Sequence, residues 1–234
     1  QTRPQNAQGK TSLLGMTHFI ISGMLWGTGM ISVIDYGIGN IGSILSMYSK
    51  LGIKAISART PTDLMAARAL ILPGVGHFDA GMAALRQNGL LEPLRDVVLQ
   101  KKTPLLGICL GMQMLADSSE EGETPGLGFI SGRNVKFRFP QESTRKVPNM
   151  GWLELTNVRM NALFPDPQAE QRFYFVHSYH MCCASADHVA AQADYGGLFT
   201  AAVNLDNIWG TQFHPEKSHK YGMALLKGFA STAL

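Results

Sequence analysis

The sequence is poor in charged residues and in cysteine, and each shortage excludes a class of protein. Charged side chains make up 16% of the 234 residues and apolar ones 45%, whereas disordered chains are rich in charge and poor in apolar residues. The formal net charge is +3, and Arg3 and Lys10 contribute two of those charges ahead of the first acidic residue. The rest of the chain is close to neutral, so the composition gives no support for a nucleic-acid partner.

The three cysteines are too few for a disulfide framework. Cys182 and Cys183 are adjacent, an arrangement that disulfide geometry resists. Free thiols fit a reducing compartment, and we therefore expect a cytoplasmic protein. Because neighbouring residues of a strand face opposite sides, we also expect one of these two thiols to be buried and the other to point outward.

No apolar run near the N-terminus is long enough to cross a bilayer. Residues 19–26 are apolar but too short for a span, and no convincing cleavage site follows them. We therefore predict no membrane partner. Met30 directly precedes a strand-like segment, so we predict a single domain over residues 30–234. Residues 1–29 are interpreted as a leader extension, disordered or derived from the expression vector, with a partner-binding or targeting arm as the alternative.

Strand-like and helix-like segments alternate through the first half of the domain. Apolar runs predict strands at residues 31–36, 54–57, 70–72 and 105–108, separated by helical patterns at residues 40–51, 62–67, 78–87 and 90–100. This order predicts an α/β fold with a doubly wound, mainly parallel sheet and helices on both faces. The second half predicts extra antiparallel β elements at residues 135–139, 152–155, 173–179, 190–193, 201–204 and 208–213, and a closing helix at about residues 217–230.

Cys109 lies where a predicted strand turns into a helical pattern over residues 110–117. Gly107 and Gly111 flank it, and this spacing matches a nucleophile elbow, whose usual signature has serine at the centre. A thiol at the start of a helix is favoured as thiolate by the partial positive charge there. A lone buried cysteine, however, is more often a small apolar side chain than a nucleophile.

His214 and Glu216 follow a second apolar strand about a hundred residues later. In an extended segment, residues two apart point the same way, so we expect Glu216 to hold the His214 ring. Pro215 between them stiffens the segment. A lone histidine at a strand end is usually structural, but the combination of thiol, imidazole and carboxylate predicts a catalytic triad. In doubly wound sheets, reactive groups collect at the carboxyl ends of strands, where all three residues are predicted to lie.

Four segments resemble one known family. They are Gly-Ile-Cys-Leu-Gly-Met-Gln at residues 107–113, Leu-Pro-Gly-Val-Gly at 72–76, Phe-Val-His-Ser-Tyr at 175–179 and Gln-Phe-His-Pro-Glu-Lys-Ser at 212–218. Together they resemble the class I, triad-type glutamine amidotransferases, and within these the glutaminase subunits of imidazole glycerol phosphate synthases of histidine biosynthesis. The likeness runs from about Met30 to the C-terminus. It implies an enzyme without a metal or cofactor that hydrolyses L-glutamine.

The resemblance also implies a role for each matching residue. Cys109 would attack the side-chain amide of glutamine, His214 would transfer protons and Glu216 would orient His214. The oxyanion hole would use the backbone N–H of Leu110 and a turn amide that reorients when a partner docks, from the segment Gly74, Val75 and Gly76. The substrate-binding positions would be Gln113, Glu121, His177, Ser178 and Tyr179. From the residues alone, His177 fits a hydrogen-bonded core histidine equally well.

A partner subunit is the last implication of the resemblance. A synthase with a (βα)8-barrel fold would form a heterodimer with this chain and receive its ammonia. The matching docking positions are Pro148, Asn149, Met150, Trp152, Tyr174 and Lys217. Asn149 stands where the family usually has histidine, which leaves open a paralogous glutaminase that supplies a sugar amidotransferase of surface polysaccharide synthesis. A catalytically silent homologue and a cysteine hydrolase of other amides are the remaining alternatives.

Overall fold

The computed structural model describes residues 31–233, so the predicted leader over residues 1–29 lies outside the described part. The first half of this part alternates strands and helices. The strands are β1 (Ile31–Ile34), β2 (Ala55–Ala58), β3 (Ala69–Gly74) and β4 (Leu105–Cys109). The helices are α1 (Ile41–Lys50), α2 (Pro61–Ala66), α3 (Phe78–Gln87), α4 (Leu91–Arg95, continued by a π-helical turn to Gln100) and α5 (Leu110–Gln113).

The second half consists mainly of strands. They are β5 (Ser118–Ser119), β6 (Gly132–Lys136), β7 (Asn149–Thr156), β8 (Arg172–His177), β9 (Tyr179–Cys183), β10 (Val189–Asp194), β11 (Leu198–Leu205) and β12 (Ile208–Thr211). Helix α6 (His219–Ala230) closes the chain. None of the helices in residues 31–233 is long and apolar enough to cross a membrane.

A nine-stranded sheet has the order β2-β1-β3-β4-β12-β11-β10-β7-β8, and β5, β6 and β9 form a separate three-stranded sheet. Neighbours from β2 to β12 are parallel, and those from β12 to β8 are antiparallel. The predicted α/β class, with a parallel doubly wound sheet and added antiparallel strands, is confirmed.

The parallel part of the sheet is buried on both faces. In β3, Ile71 packs into one apolar cluster with residues of α1 and α6, whereas Leu70 and Leu72 pack into a second cluster with residues of α2, α3 and α4. Burying each such side chain contributes about 1.5–3 kcal/mol. The strands that carry the predicted site are therefore held in place by buried side chains on both faces of the sheet.

Register brings the predicted site residues to one edge. Gly74 pairs with Cys109 across β3 and β4, and Thr211 pairs with Ile108 across β12 and β4. These strands are parallel, so their carboxyl ends coincide. The segments that follow them, including His214, begin side by side.

Several predicted bounds are shifted, as for the strand expected over residues 135–139, which lies at Gly132–Lys136, and two elements differ in more than their bounds. The helix expected over residues 110–117 ends at Gln113, because backbone N–H groups of residues 127–129 donate to the carbonyls of Met114, Leu115 and Ala116 and hold the chain in turns. The strand expected over residues 173–179 is broken at Ser178. Its first part pairs with β7, and its continuation pairs with β6 in the other sheet. On that continuation Cys182 is exposed, as expected for one of the two thiols, whereas Cys183 is only partly buried and not fully buried.

Candidate active site

The backbone at Cys109 is held in an unusual conformation. Its φ is +55° and its ψ is −110°, a region that costs a residue with a side chain about 1–3 kcal/mol. Neighbouring segments of the chain approach this turn closely. A Cβ on Gly111 would overlap the Leu72 carbonyl oxygen, and one on Gly107 would lie 2.7 Å from the Gly111 oxygen. The flanking glycines therefore permit the sharp turn that presents the thiol.

His214 and Glu216 form a buried pair. The Nδ1 atom of His214 lies 2.7 Å from Oε1 of Glu216, and the two side chains are 2% and 3% exposed. The contact agrees with the sequence expectation, but its geometry does not. Residues Pro215–Lys217 form a 3₁₀ turn, so Glu216 folds back onto the ring instead of continuing an extended segment.

The surroundings of His214 favour its protonated form. Burial lowers the pKa of His214, but the hydrogen-bonding atoms and negative charges of Cys109 and Glu216 outweigh it and raise the pKa to about 10. Its other ring nitrogen, Nε2, is buried without a well-aligned hydrogen bond to any described residue. The ring can therefore hold a proton at neutral pH and exchange it with a group beside Cys109.

Gln212 contacts the thiol, a role that no pattern in the sequence predicted. It is fully buried, and its Nε2 lies 3.8 Å from Cys109 Sγ. Its Oε1 accepts a hydrogen bond of 3.1 Å from Gln113 Nε2, which also donates to the Tyr179 carbonyl at 3.0 Å. The one feature of the sequence that could have indicated Gln212 is its position two residues before His214, in the segment 212–218 that resembles the family.

His177 is a neutral histidine in the wall of the site. Its Nδ1 lies 2.8 Å from the Tyr179 carbonyl, which can only accept, so Nε2 is left to accept from Asn149 Nδ2 at 3.0 Å. Burial lowers the pKa of His177 to about 3. Asn149 is 1% exposed, so its side chain points into the chain, and its place among the docking positions stays a prediction. Its amide fixes the His177 tautomer.

Most of the predicted site residues line a cleft of about 320 Å³. Its lining contains Val75, Gly76, Cys109, Leu110, Gln113, Glu121, Pro148, Val176, His177, Ser178, Tyr179, His214 and Lys217. Glu216 lies behind His214, and Gly74 is the residue paired with Cys109. Segments from β3, β4, β8 and β12 thus converge on one space.

The turn after β3 borders this cleft. Val75 is 46% exposed, and Gly76 has a φ of +100°, which favours glycine. The Tyr36 hydroxyl donates to the Pro73 carbonyl at 2.7 Å and anchors the strand just before the turn. The turn is therefore anchored at Pro73 and exposed to solvent at Val75.

An aromatic rim, Pro148, Met150, Trp152, Tyr174 and Lys217, adjoins the cleft, and Pro148 and Lys217 belong to both. Met150 is 62% exposed. The Lys217 Nζ lies 5.9 Å from the Tyr174 ring centroid. The Trp152 ring stacks on His219, which the sequence analysis missed, with centroids 5.6 Å apart and an interplanar angle of 5°.

Comparisons with known proteins point to one family. The family model described as "Glutamine amidotransferase class-I" matches residues 32–232. Imidazole glycerol phosphate synthase subunit HisH of Leptospira interrogans is 49% identical over 203 residues, which cover 86% of this chain and 100% of that protein. Subunit HisH 2 of Pseudomonas aeruginosa is 49% identical over 200 residues, covering 86% and 98%.

Solved structures share the fold at lower identity. A crystal structure described as a glutamine amidotransferase has a TM-score of 0.68 at 20% identity and covers 87% of this chain and 98% of that one. The structure of PurLQS from Thermotoga maritima has a TM-score of 0.64 at 16% identity, covering 86% and 97%. The chain therefore belongs to the class-I glutamine amidotransferases, within the family of imidazole glycerol phosphate synthase HisH subunits.

Proposed function

We propose that this chain is the glutaminase subunit of an imidazole glycerol phosphate synthase in histidine biosynthesis. It hydrolyses L-glutamine to glutamate and passes the ammonia to a synthase subunit. The observation that carries the proposal is the buried His214–Glu216 pair beside Cys109 in one cleft. The names of the relatives at 49% identity favour this function over the paralogous glutaminase of polysaccharide synthesis.

The first half of the reaction uses a thiolate and an imidazolium. The Cys109 thiolate attacks the side-chain amide carbon of glutamine and forms a tetrahedral intermediate. His214 gives its proton to the leaving nitrogen, the carbon–nitrogen bond breaks, and ammonia and a glutamyl thioester result. Glu216 keeps the ring in place and stabilises its charge.

Water completes the cycle. His214, now neutral, takes a proton from water as the oxygen attacks the thioester carbon. The carbon–sulfur bond then breaks, which releases glutamate and restores the thiolate beside the imidazolium. The oxyanion of both intermediates is assigned to the backbone N–H of Leu110 and to a turn amide at Gly74, Val75 or Gly76, because this turn lies beside the thiol.

Substrate binding is assigned to Gln113, Glu121, Ser178 and Tyr179, which line the cleft together with His177. Glu121 is the one carboxylate in that lining among the described residues, so it suits the ammonium group of glutamine. His177 is neutral and its ring nitrogens are engaged within the chain. We therefore assign it a shaping role that holds the Tyr179 carbonyl.

The synthase partner is proposed to be a (βα)8 barrel that docks on the aromatic rim. Ammonia released into water would be protonated, and direct transfer keeps it a nucleophile. The rim supports this arrangement because it combines the exposed Met150 with the half-buried rings of Trp152 and Tyr174 next to the cleft. A cytoplasmic location is supported by the three free cysteines, since Cys109 acts only when reduced.

Glutamate release with and without the synthase subunit of the same organism tests the proposal. We expect the two proteins to co-purify and the chain alone to hydrolyse glutamine slowly. One missing oxyanion donor accounts for about 10²- to 10³-fold in rate, so stimulation of that order is expected on docking. Full activity of the isolated chain, without stimulation, would favour an autonomous hydrolase.

A further inference from the structure

Asp79, in the first turn of α3, holds a distant loop. Its Oδ1 accepts a hydrogen bond of 3.0 Å from the Thr124 backbone N–H, and its Oδ2 accepts one of 3.2 Å from the Glu123 N–H. These donors are 45 and 44 residues away along the chain. Asp79 is not part of the cleft lining. Its carboxylate therefore fixes the position of the loop that follows β5.

The same loop carries Glu121 into the cleft. The Oε2 atom of Glu121 accepts a hydrogen bond of 2.9 Å from the Phe78 backbone N–H. The loop is thus tied twice to consecutive residues of α3, once through the Glu121 carboxylate and once through the carboxylate of Asp79. Both carboxylates lie near a helix N-terminus, whose partial positive charge favours them.

Gly122 permits this close approach. A Cβ at this position would overlap the Asp79 carboxylate. Gly122 is not among the glycines with positive φ, so its backbone conformation is open to other residues. The absence of a side chain is therefore required by the proximity of Asp79 and not by the turn itself.

We propose that Asp79 is a positioning residue for substrate recognition, which holds the Glu121 carboxylate where the ammonium group of glutamine binds. The inference rests on the proposed function, since it concerns the affinity for glutamine. Because α3 begins directly after the turn at Gly76, the same contacts set the spacing between the bound substrate and the oxyanion turn. Asp79 itself touches neither substrate nor thiol.

The Michaelis constant for glutamine tests the proposal, measured in the complex with the synthase subunit. Asp79→Ala should raise KM about ten-fold, the factor that corresponds to one lost charge-assisted hydrogen bond, and should leave kcat within about two-fold. Asp79→Asn keeps one carbonyl acceptor and should raise KM less. A residue that only stabilised the fold would lower the active fraction and hence kcat, with KM unchanged.

Asp63→Ala is the matched control. Asp63 accepts hydrogen bonds of 2.9 Å from the backbone N–H groups of Arg59 and Thr60 at the start of α2, and it does not line the cleft. The variant loses a comparable pair of contacts, so KM should stay at the wild-type value. An equal rise in KM for Asp63→Ala would overturn the proposal.

A double-mutant cycle adds a second readout. Gly122→Ala alone should raise KM, because its new methyl group displaces the loop from Asp79. In the Asp79→Ala background the overlap is relieved, so Gly122→Ala should add little. Isothermal titration with glutamine in the Cys109→Ala background measures the same changes as binding, without turnover.

Two outcomes separate this proposal from the proposed function. If wild type hydrolyses glutamine and Asp79→Ala retains its KM and glutamine affinity, the positioning role alone is overturned. If wild type neither binds nor hydrolyses glutamine with the synthase present, both are overturned.

Discussion

Replacing Glu216 with Gln removes one of the negative charges that favour the protonated form of His214 while keeping the shape of the side chain. The two groups are joined by a contact of 2.7 Å and are almost completely buried. A hydrogen bond to a charged group contributes about 1.5–3 kcal/mol, and each 1.36 kcal/mol changes a rate ten-fold. If the loss falls on the thiolate–imidazolium pair, kcat should fall about ten- to 150-fold.

The pH dependence of Cys109 alkylation by iodoacetamide reports the same change directly. Glu216 is one of the groups that raise the pKa of His214, so the variant should lose the imidazolium at lower pH than wild type. The change in alkylation rate that accompanies loss of the imidazolium should therefore also occur at lower pH than in wild type. Glu92→Gln removes an exposed carboxylate at the start of α4 and should leave both the rate and the profile unchanged.

A Glu216→Gln protein that kept the wild-type kcat and alkylation profile would refute the assignment of Glu216 to the triad. A variant with less folded protein would be recognised by thermal unfolding, since a reduced active fraction lowers kcat without moving the alkylation profile. The combination of a lower rate and a changed profile is therefore required.

The remaining predictions concern stability, the thiol and docking. The folded pKa of His214, about 10, exceeds its ordinary 6.5, so its contribution to stability is fully present below pH 6.5 and is lost as the pH rises through 10; Cys109→Ala should weaken this dependence in urea unfolding. Gln212→Leu removes the amide beside the thiol, and we expect glutamate release to fall about ten-fold, as measured by kcat with the synthase present. Lys217→Ala should reduce stimulation by the synthase while leaving the basal rate of the isolated chain within about two-fold; an unchanged stimulation would remove Lys217 from the docking surface.

The sequence was most informative where a short segment determines its own structure. Gly107 and Gly111 around Cys109, after an apolar strand, predict a sharp turn, and the structure shows why Gly111 is needed, since a Cβ there would overlap the Leu72 carbonyl oxygen. The parallel direction of β1, β3 and β4 followed from alternating strand and helix patterns, whereas their order in the sheet did not. The strand ends then brought the thiol and the imidazole to one edge.

Long-range contacts account for what the sequence did not predict. The helix after Cys109 ends early because residues 127–129 compete for its carbonyls, and no local pattern contains that information. The resemblance offered Asn149 only as a docking position, whereas its amide also contacts His177 on the neighbouring strand, 28 residues away. Gln212 and Gln113, 99 residues apart, meet only once β12 lies beside β4.

The most direct test of the central claim compares glutamine-dependent with ammonium-dependent product formation by the complex when Cys109 is replaced. The complex that contains Cys109→Ala should be assayed for imidazole glycerol phosphate formation with glutamine and, separately, with ammonium salts. We predict that glutamine-dependent formation falls by roughly 10⁴- to 10⁶-fold, the usual cost of removing a triad nucleophile, while ammonium-dependent formation stays close to wild type. Glutamine-dependent synthesis at an appreciable rate by the Cys109→Ala complex would contradict the account.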